Sequence, residues 1–174
     1  LYCITYTTPA RVVKLDTTTF GRTSAITLDT GEDLGTCGVI DVSGGYVYFG
    51  CATSPAKVIK VAISTFTKAA TLTFDTGENT TTALAIDLTG ARLFNSLALS
   101  PGQIVEVDLS TFTKTETLTL NTGENSPQEL AYYSASRRLF VGCYTTPGIS
   151  IEVSAATVHT STAELAAQAA SLAS

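Results

Sequence analysis

The chain has 174 residues, 44% of them hydrophobic and 14% charged, with a net charge of −5. That length is enough to bury a full core in one domain, and so little charge excludes a disordered polyelectrolyte. The 10 Lys and Arg residues do not cluster, so a nucleic-acid footprint is missing, and no apolar run nears the roughly 18 residues that span a bilayer.

Thr is abundant and Val, Ile, Tyr and Phe are common, a bias toward strands over helices. Met is absent and Leu1 falls inside a strand-like run, which points to a processed chain or a fragment. The dominant signal is internal repetition. Pro9, Pro55, Pro101 and Pro147, four of the five prolines, stand 46 residues apart. The same offset relates Phe20, Phe66 and Phe112, and then Gly31, Gly77 and Gly123. Ser64-Thr65-Phe66-Thr67-Lys68 recurs unchanged at 110–114, and Thr76-Gly77-Glu78-Asn79 recurs at 122–125.

In chain order, the first unit opens within a second strand, so it carries no inner strand of its own. The following units show inner strands near 37–41, 83–87 and 129–133. The most regular unit has four strand-like runs at 82–87, 92–98, 103–108 and 113–120. They are separated by Thr89-Gly90, Ser100-Pro101-Gly102 and Ser110-Thr111, with Asn121-Thr122-Gly123 closing the unit. Gly supplies positive φ in such breaks, Pro pre-sets φ, and Asn bonds back to the local backbone. On the third strand, Val13 and Leu15, Ile59 and Val61, and Val105 and Val107 flank Lys14, Lys60 and Glu106, which is period-2 patterning. Gly38, Ala85 and Ala131 put small residues on inner strands, where blades converging on an axis leave least room. From 156 to 174 the repeat fades into an Ala-rich tail. There Ser161-Thr162-Ala163-Glu164 reads as a capping box, so the tail is a short helix or a linker.

Four antiparallel strands in 40–50 residues is the size of a propeller blade. Ile86-Asp87-Leu88-Thr89-Gly90, Tyr46-Val47-Tyr48-Phe49-Gly50 and Ile104-Val105-Glu106-Val107-Asp108 follow in kind and order the repeat of a known family. The chain resembles YVTN/WD40-like β-propeller repeats over about residues 1–155, without the Gly-His and Trp-Asp pairs of true WD40 units. The resemblance implies an all-β fold of four blades, the first and last incomplete, standing alone or within a larger ring. It implies no particular activity.

Candidate sites are few. Cys37 and Cys51 flank the Ser43-Gly44-Gly45 turn almost symmetrically. They are either a cross-strand disulfide or two buried thiols. Cys3 and Cys143 lie on the second strands of the end blades, and no Cys-x-x-Cys pair suggests zinc. The recurring acidic loops (Asp29 to Asp33, Asp75 to Asn79, Asn121 to Asn125) are read either as Ca²⁺ ligands or as capped turns. Asn79-Thr80-Thr81 is an N-glycosylation sequon, leaving glycans open. The single His, His159, lies outside the regular repeat with no nucleophile motif beside it, so neither an enzyme nor a cofactor is expected.

The sequence therefore predicts a non-enzymatic structural or interaction module. Its expected setting is an extracellular or cell-surface protein, as a subunit of a self-assembling filament or appendage. Its expected partners are copies of itself or the remainder of a longer chain. Lys14, Lys60, Glu106 and Glu152 change sign along the repeats, which suggests head-to-tail charge matching. The alternative is a lectin-like propeller with one ligand per blade. That reading is weakened because the loop aromatic Tyr6 becomes Ala52 and Ala98 before returning as Tyr144.

Overall fold

A computed structural model describes residues 1–155. The expected tail at 156–174, with its capping box, and His159 lie outside the described residues. Among the described residues fourteen strands run in chain order: β1 Tyr2–Ile4, β2 Arg11–Leu15, β3 Arg22–Thr27, β4 Gly35–Asp41, β5 Tyr46–Cys51, β6 Lys57–Ala62 and β7 Thr67–Thr73. They continue as β8 Thr81–Asp87, β9 Arg92–Leu97, β10 Gln103–Asp108, β11 Thr113–Thr119, β12 Pro127–Tyr133, β13 Arg138–Cys143 and β14 Ile149–Ser154. Each repeat forms its own antiparallel sheet: β1-β2-β3, β4-β5-β6-β7, β8-β9-β10-β11 and β12-β13-β14. These are four propeller-like blades set in an open arc. The first lacks its inner strand, as the phase of the repeat predicts.

The turns behave as their residues dictate. Asp41 accepts from the Gly44 N–H at 2.7 Å, and Asp87 from the Gly90 N–H at 3.0 Å, fixing the link from inner to second strand. The four prolines that mark the period all follow cis peptide bonds.

Three apolar cores lie between the blades rather than within them. Strand alternation divides each sheet between two cores. Val47, Phe49 and Cys51 of β5 face the first blade, with Ile59 and Val61 of β6. Tyr46 and Tyr48 face the third blade with Val58, joined there by Val105 and Val107. Phe94, Ile104, Leu139 and Val141 fill the third core. The small inner-strand residues each stand opposite an aromatic of the neighbouring strand. Gly38 is opposite Phe49, Ala85 opposite Phe94 and Ala131 opposite Phe140. A Cβ at Gly38 would sit 2.8 Å from the Phe49 ring, so the neighbouring strand's aromatic takes the space.

Inner strands begin about two residues earlier than the alternation predicts. Each has a register shift, between Gly35 and Cys37, Thr81 and Ala83, and Pro127 and Glu129. A bulge breaks period-2 patterning and re-aims the side chain of the extra residue.

Candidate interaction surface

The bulges supply the innermost contacts between blades. Thr36 donates to the Thr81 carbonyl at 2.8 Å, and Thr82 donates to the Pro127 carbonyl at 2.6 Å. The third bulge residue, Gln128, is exposed.

At the rim, the acidic loops act as clamps. Glu32 accepts from the Asp29 N–H at 2.8 Å, closing its own turn, and its carboxylate also receives Lys68 Nζ at 2.8 Å. Lys68 pairs with Asp29 as well, and Thr71 donates to Glu32. One blade later, Glu78 caps Asp75 N at 2.9 Å and receives Lys114 at 2.9 Å, while Lys114 also pairs with Asp75 and Thr117 donates to Glu78. Burial works to raise the pKa of Glu32 and Glu78, but their hydrogen bonds and the adjacent ammonium outweigh it and hold both below the ordinary carboxylate value. Desolvation opposes the charge on Lys68 and Lys114, yet their carboxylate partners raise both. Of the two readings of these loops, the geometry is that of capped turns. Among the described residues no group of three or more His, Cys, Asp and Glu side chains forms a metal-binding cluster.

The middle of each blade carries the residues that change sign, and none of those in the middle blades points to solvent. Lys60 lies 4.0 Å from the Tyr46 ring centroid and 5.2 Å from that of Phe112. Lys14 stands 5.9 Å from both Tyr2 and Phe66. In the third blade, buried Glu106 lies 3.4 Å from Arg92, which also binds Asp87 at 2.7 Å and the Ala155 carbonyl at 2.7 Å. Burial works against charge on Asp87, but Arg92 and the Gly90 N–H hold its carboxyl below the ordinary range. In the fourth blade, Glu152 pairs with Arg138. Each charge is therefore met inside the arc, by rings early and by arginines late.

Of the two readings of Cys37 and Cys51, on adjacent strands β4 and β5, the structure has two free thiols and no bridge between them. Cys37 is opposite Gly50, not Cys51. It packs on the core between the second and third blades, whereas Cys51 packs on the core between the first and second. Side chains on opposite faces of a sheet cannot be joined without moving the backbone. Burial pushes the Cys37 thiol up to about 11 and the Cys51 thiol up to about 12, so both stay protonated and unreactive. Cys3 is exposed on β1, and Cys143 is buried in the third core. Asn79 is half-buried and accepts from Ser54 Oγ at 2.8 Å, while Thr81 of the same sequon is fully buried. Tyr6 and Tyr144 are 66% and 83% exposed, but they occupy only the end blades.

The ends of the arc are the open surfaces. Strand β1 pairs with β2 alone, so its other edge carries unpaired backbone. A groove of about 690 Å³ lies between β1 and β4, lined by Tyr2, Ile4, Gly38, Val39 and Ile40 among others. Phe20 at the first blade's outer turn is 80% exposed. Sequence reasoning missed this aromatic system, although its signal was present: Phe20, Phe66 and Phe112 recur in frame with the Lys and aromatic positions they cover.

No protein-family model matches the sequence, and no curated protein matches it. Among solved structures, the chain is similar to U3-55K and to the WD40 repeats of RRP9. In each case the TM-score is 0.66 at 10% identity, over 87% of this chain and 47% of the other. The chain thus spans about half the length of the structures it matches. At this identity the likeness shows the fold, WD40-like propeller blades. It also overturns the expected extracellular or cell-surface location. The matched structures are U3-55K and the RRP9 WD40 repeats. No helix among the described residues is long and apolar enough to cross a membrane.

Proposed function

We propose that this chain is a non-enzymatic protein-interaction module, an arc of propeller blades that works by having protein cover its open ends. The single observation that carries this reading is the contrast between the junctions and the ends. Each internal junction is closed by an apolar core, and the first two also by rim clamps. The first blade instead presents an unpaired strand edge, with an apolar groove beside it reaching β4 of the second blade, and an exposed Phe20. Such edges recruit further strands or chains unless covered. The partner is a copy of the same chain or further repeats of a longer polypeptide.

The rim clamps support this reading, because their carboxylates and lysines are engaged in holding successive blades together. Filament growth, anticipated from the charge order, loses its support because those charges are met within the arc. Light scattering across a wide concentration range tests the reading. Concentration-dependent association is expected, and a compact monomer throughout would overturn it.

A further inference from the structure

A cavity lies at an internal junction, between the third and fourth blades, where the β8–β9 turn meets the β12–β13 turn. It has a volume of about 310 Å³ and is lined by Asp87, Thr89 and Gly90 from the earlier blade and by Tyr132, Ser134 and Arg137 from the later one. The 46-residue offset identifies the same positions at the second junction. There the earlier blade supplies Asp41, Ser43 and Gly44, the same chemistry, whereas the later blade supplies Ile86, Leu88 and Ala91. One half of the place is therefore constant, and the other turns from apolar residues to a phenol, a hydroxyl and a guanidinium. A repeated scaffold explains the constant half but not the changed one.

The turn itself does not ask for the arginine. Its left-handed position is Gly45 in the second blade, with φ of 79°, and Ala91 in the third, with φ of 51°. Arg137 takes that backbone at 55°, where a long side chain is rare. It is exposed, and while its neighbour Arg138 is engaged by Glu152, Arg137 pairs with no carboxylate among the described residues. The acceptors around it are already engaged. Asp87 is 2% exposed and accepts from Arg92 and from the Gly90 N–H. The Tyr132 hydroxyl bonds to Asp87. Burial together with that carboxylate holds the phenol above the ordinary tyrosine value, so it stays protonated and is the donor. The phenol oxygen accepts from Arg137, which leaves most of the guanidinium N–H donors unused. Thr89 and Ser134 add hydroxyls with no protein partner among the described residues.

We propose that this cavity binds a single carboxylate carried by a partner peptide, with the Arg137 guanidinium as its fork and the Thr89 and Ser134 hydroxyls beside it. The site offers donors and an uncommitted cation, so it selects an anion. Asp87, Glu106 and Arg92 together carry one formal negative charge next to it, which disfavours a dianion such as phosphate against a monoanion. A peptide rather than a free acid is indicated by what adjoins the cavity in the chain. Leu88 and Tyr133 are 52% and 57% exposed, apolar surface for the residues that flank an acidic one. The choice of a peptide rests on the interaction reading above. The carboxylate site does not, because it stands at a junction between blades, apart from the open ends of the arc.

Proton–nitrogen correlation spectra of the full chain test it, read at the Arg137 Nε–Hε signal and the Ser134 amide during titration. Acetyl-Leu-Glu-Leu-amide carries only a side-chain carboxylate, acetyl-Leu-Gln-Leu only a terminal one, and acetyl-Leu-Gln-Leu-amide none. Sodium acetate and inorganic phosphate are the small probes. A saturable shift with at least one carboxylate peptide and none with the neutral peptide is expected, and the peptide that binds tells a side chain from a chain terminus. Arg137→Gln should weaken that binding about ten-fold or more, and Arg137→Lys, which keeps the charge but not the planar fork, should recover only part of it. Both variants should keep the wild-type melting temperature, because the side chain is exposed. Acetate that binds as tightly as the peptides would overturn the peptide and leave the anion site, and tighter binding of phosphate would overturn the monoanion. No saturable shift with any probe, equal binding of the neutral peptide, or an Arg137→Gln chain that binds like wild type overturns the site. None of these results bears on self-association, which light scattering measures separately.

Discussion

The second and third blades solve one problem with opposite chemistry. Both must place a charged side chain from their third strand into the junction with the next blade. In the second, half-buried Lys60 meets the rings of Tyr46 and Phe112. In the third, Glu106 is buried, and Arg92 must neutralise it together with buried Asp87. A cation on aromatic rings loses little if one partner goes, because no uncompensated charge is left behind. A buried ion cluster is cooperative: removing its one cation strands two carboxylates at low dielectric. The early junctions should therefore be tolerant and the late junction brittle.

The sharpest way to break that comparison is Arg92→Ala. It should cost about 3–5 kcal/mol, with a matching fall in the urea midpoint, whereas Lys60→Met should cost about 1 kcal/mol or less. Equal losses from the two would show that burial in the third junction carries no special weight. A packing test comes next in size. A Cβ at Gly50 would sit 2.2 Å from Thr81 Cγ2 and 2.7 Å from Cys37 Sγ, so Gly50→Ala should cost about 1–3 kcal/mol. Adding Thr81→Gly should recover part of that loss in a double-mutant cycle.

The rim clamps are smaller because their lysines are about a quarter exposed. Lys68→Ala and Lys114→Ala should each cost about 0.5–1 kcal/mol, and less in about 1 M salt. Their pH dependence has a definite sign. Glu32 and Glu78 have lowered values, so their contribution is complete above the unfolded value of 4.5 and is lost as pH falls through the lower folded value. Lys68 and Lys114 have raised values, so theirs is complete below 10.5 and is lost only above it. Thermal melts should be flat between those limits and fall on the acid side, with a smaller acid effect in Glu32→Gln. A melting temperature that rises on acidification would contradict the clamp.

Most of the fold was legible in the residues. The third strand of the most regular unit is 103–108 in sequence and Gln103–Asp108 in the structure, because its alternation and its flanking Pro-Gly and Ser-Thr breaks are unambiguous. The inner strands were read short because the bulges at Thr36, Thr82 and Gln128 interrupt the alternation that defines a strand. The choice between a disulfide and two thiols was not legible for a related reason. Symmetry about a turn fixes neighbouring strands but not the face, and a one-residue offset sends the second thiol to the other side of the sheet. The charge series was visible as a column of four residues, but its meaning lay in their cross-strand partners at Tyr2, Tyr48, Phe94 and Phe140. Pairing across strands is a tertiary fact, and the repeat alone does not disclose it.

The glycines near the inner strands carry one more consequence. At the first junction Ile4 fills the volume that a Cβ at Gly35 would need, approaching to 2.3 Å. At the second junction the bulk has changed sides, with Gly50 on the earlier blade and Thr81 on the later one. The third has Ser96 and Pro127 at these positions. Each blade therefore fits its own successor by steric key. A shuffled chain that set Ile4 against Thr81 would overfill the joint, while Gly50 against Gly35 would leave it hollow. Units that look interchangeable by their prolines and turns are in this way addressed, and the order of the blades is written in side-chain volume.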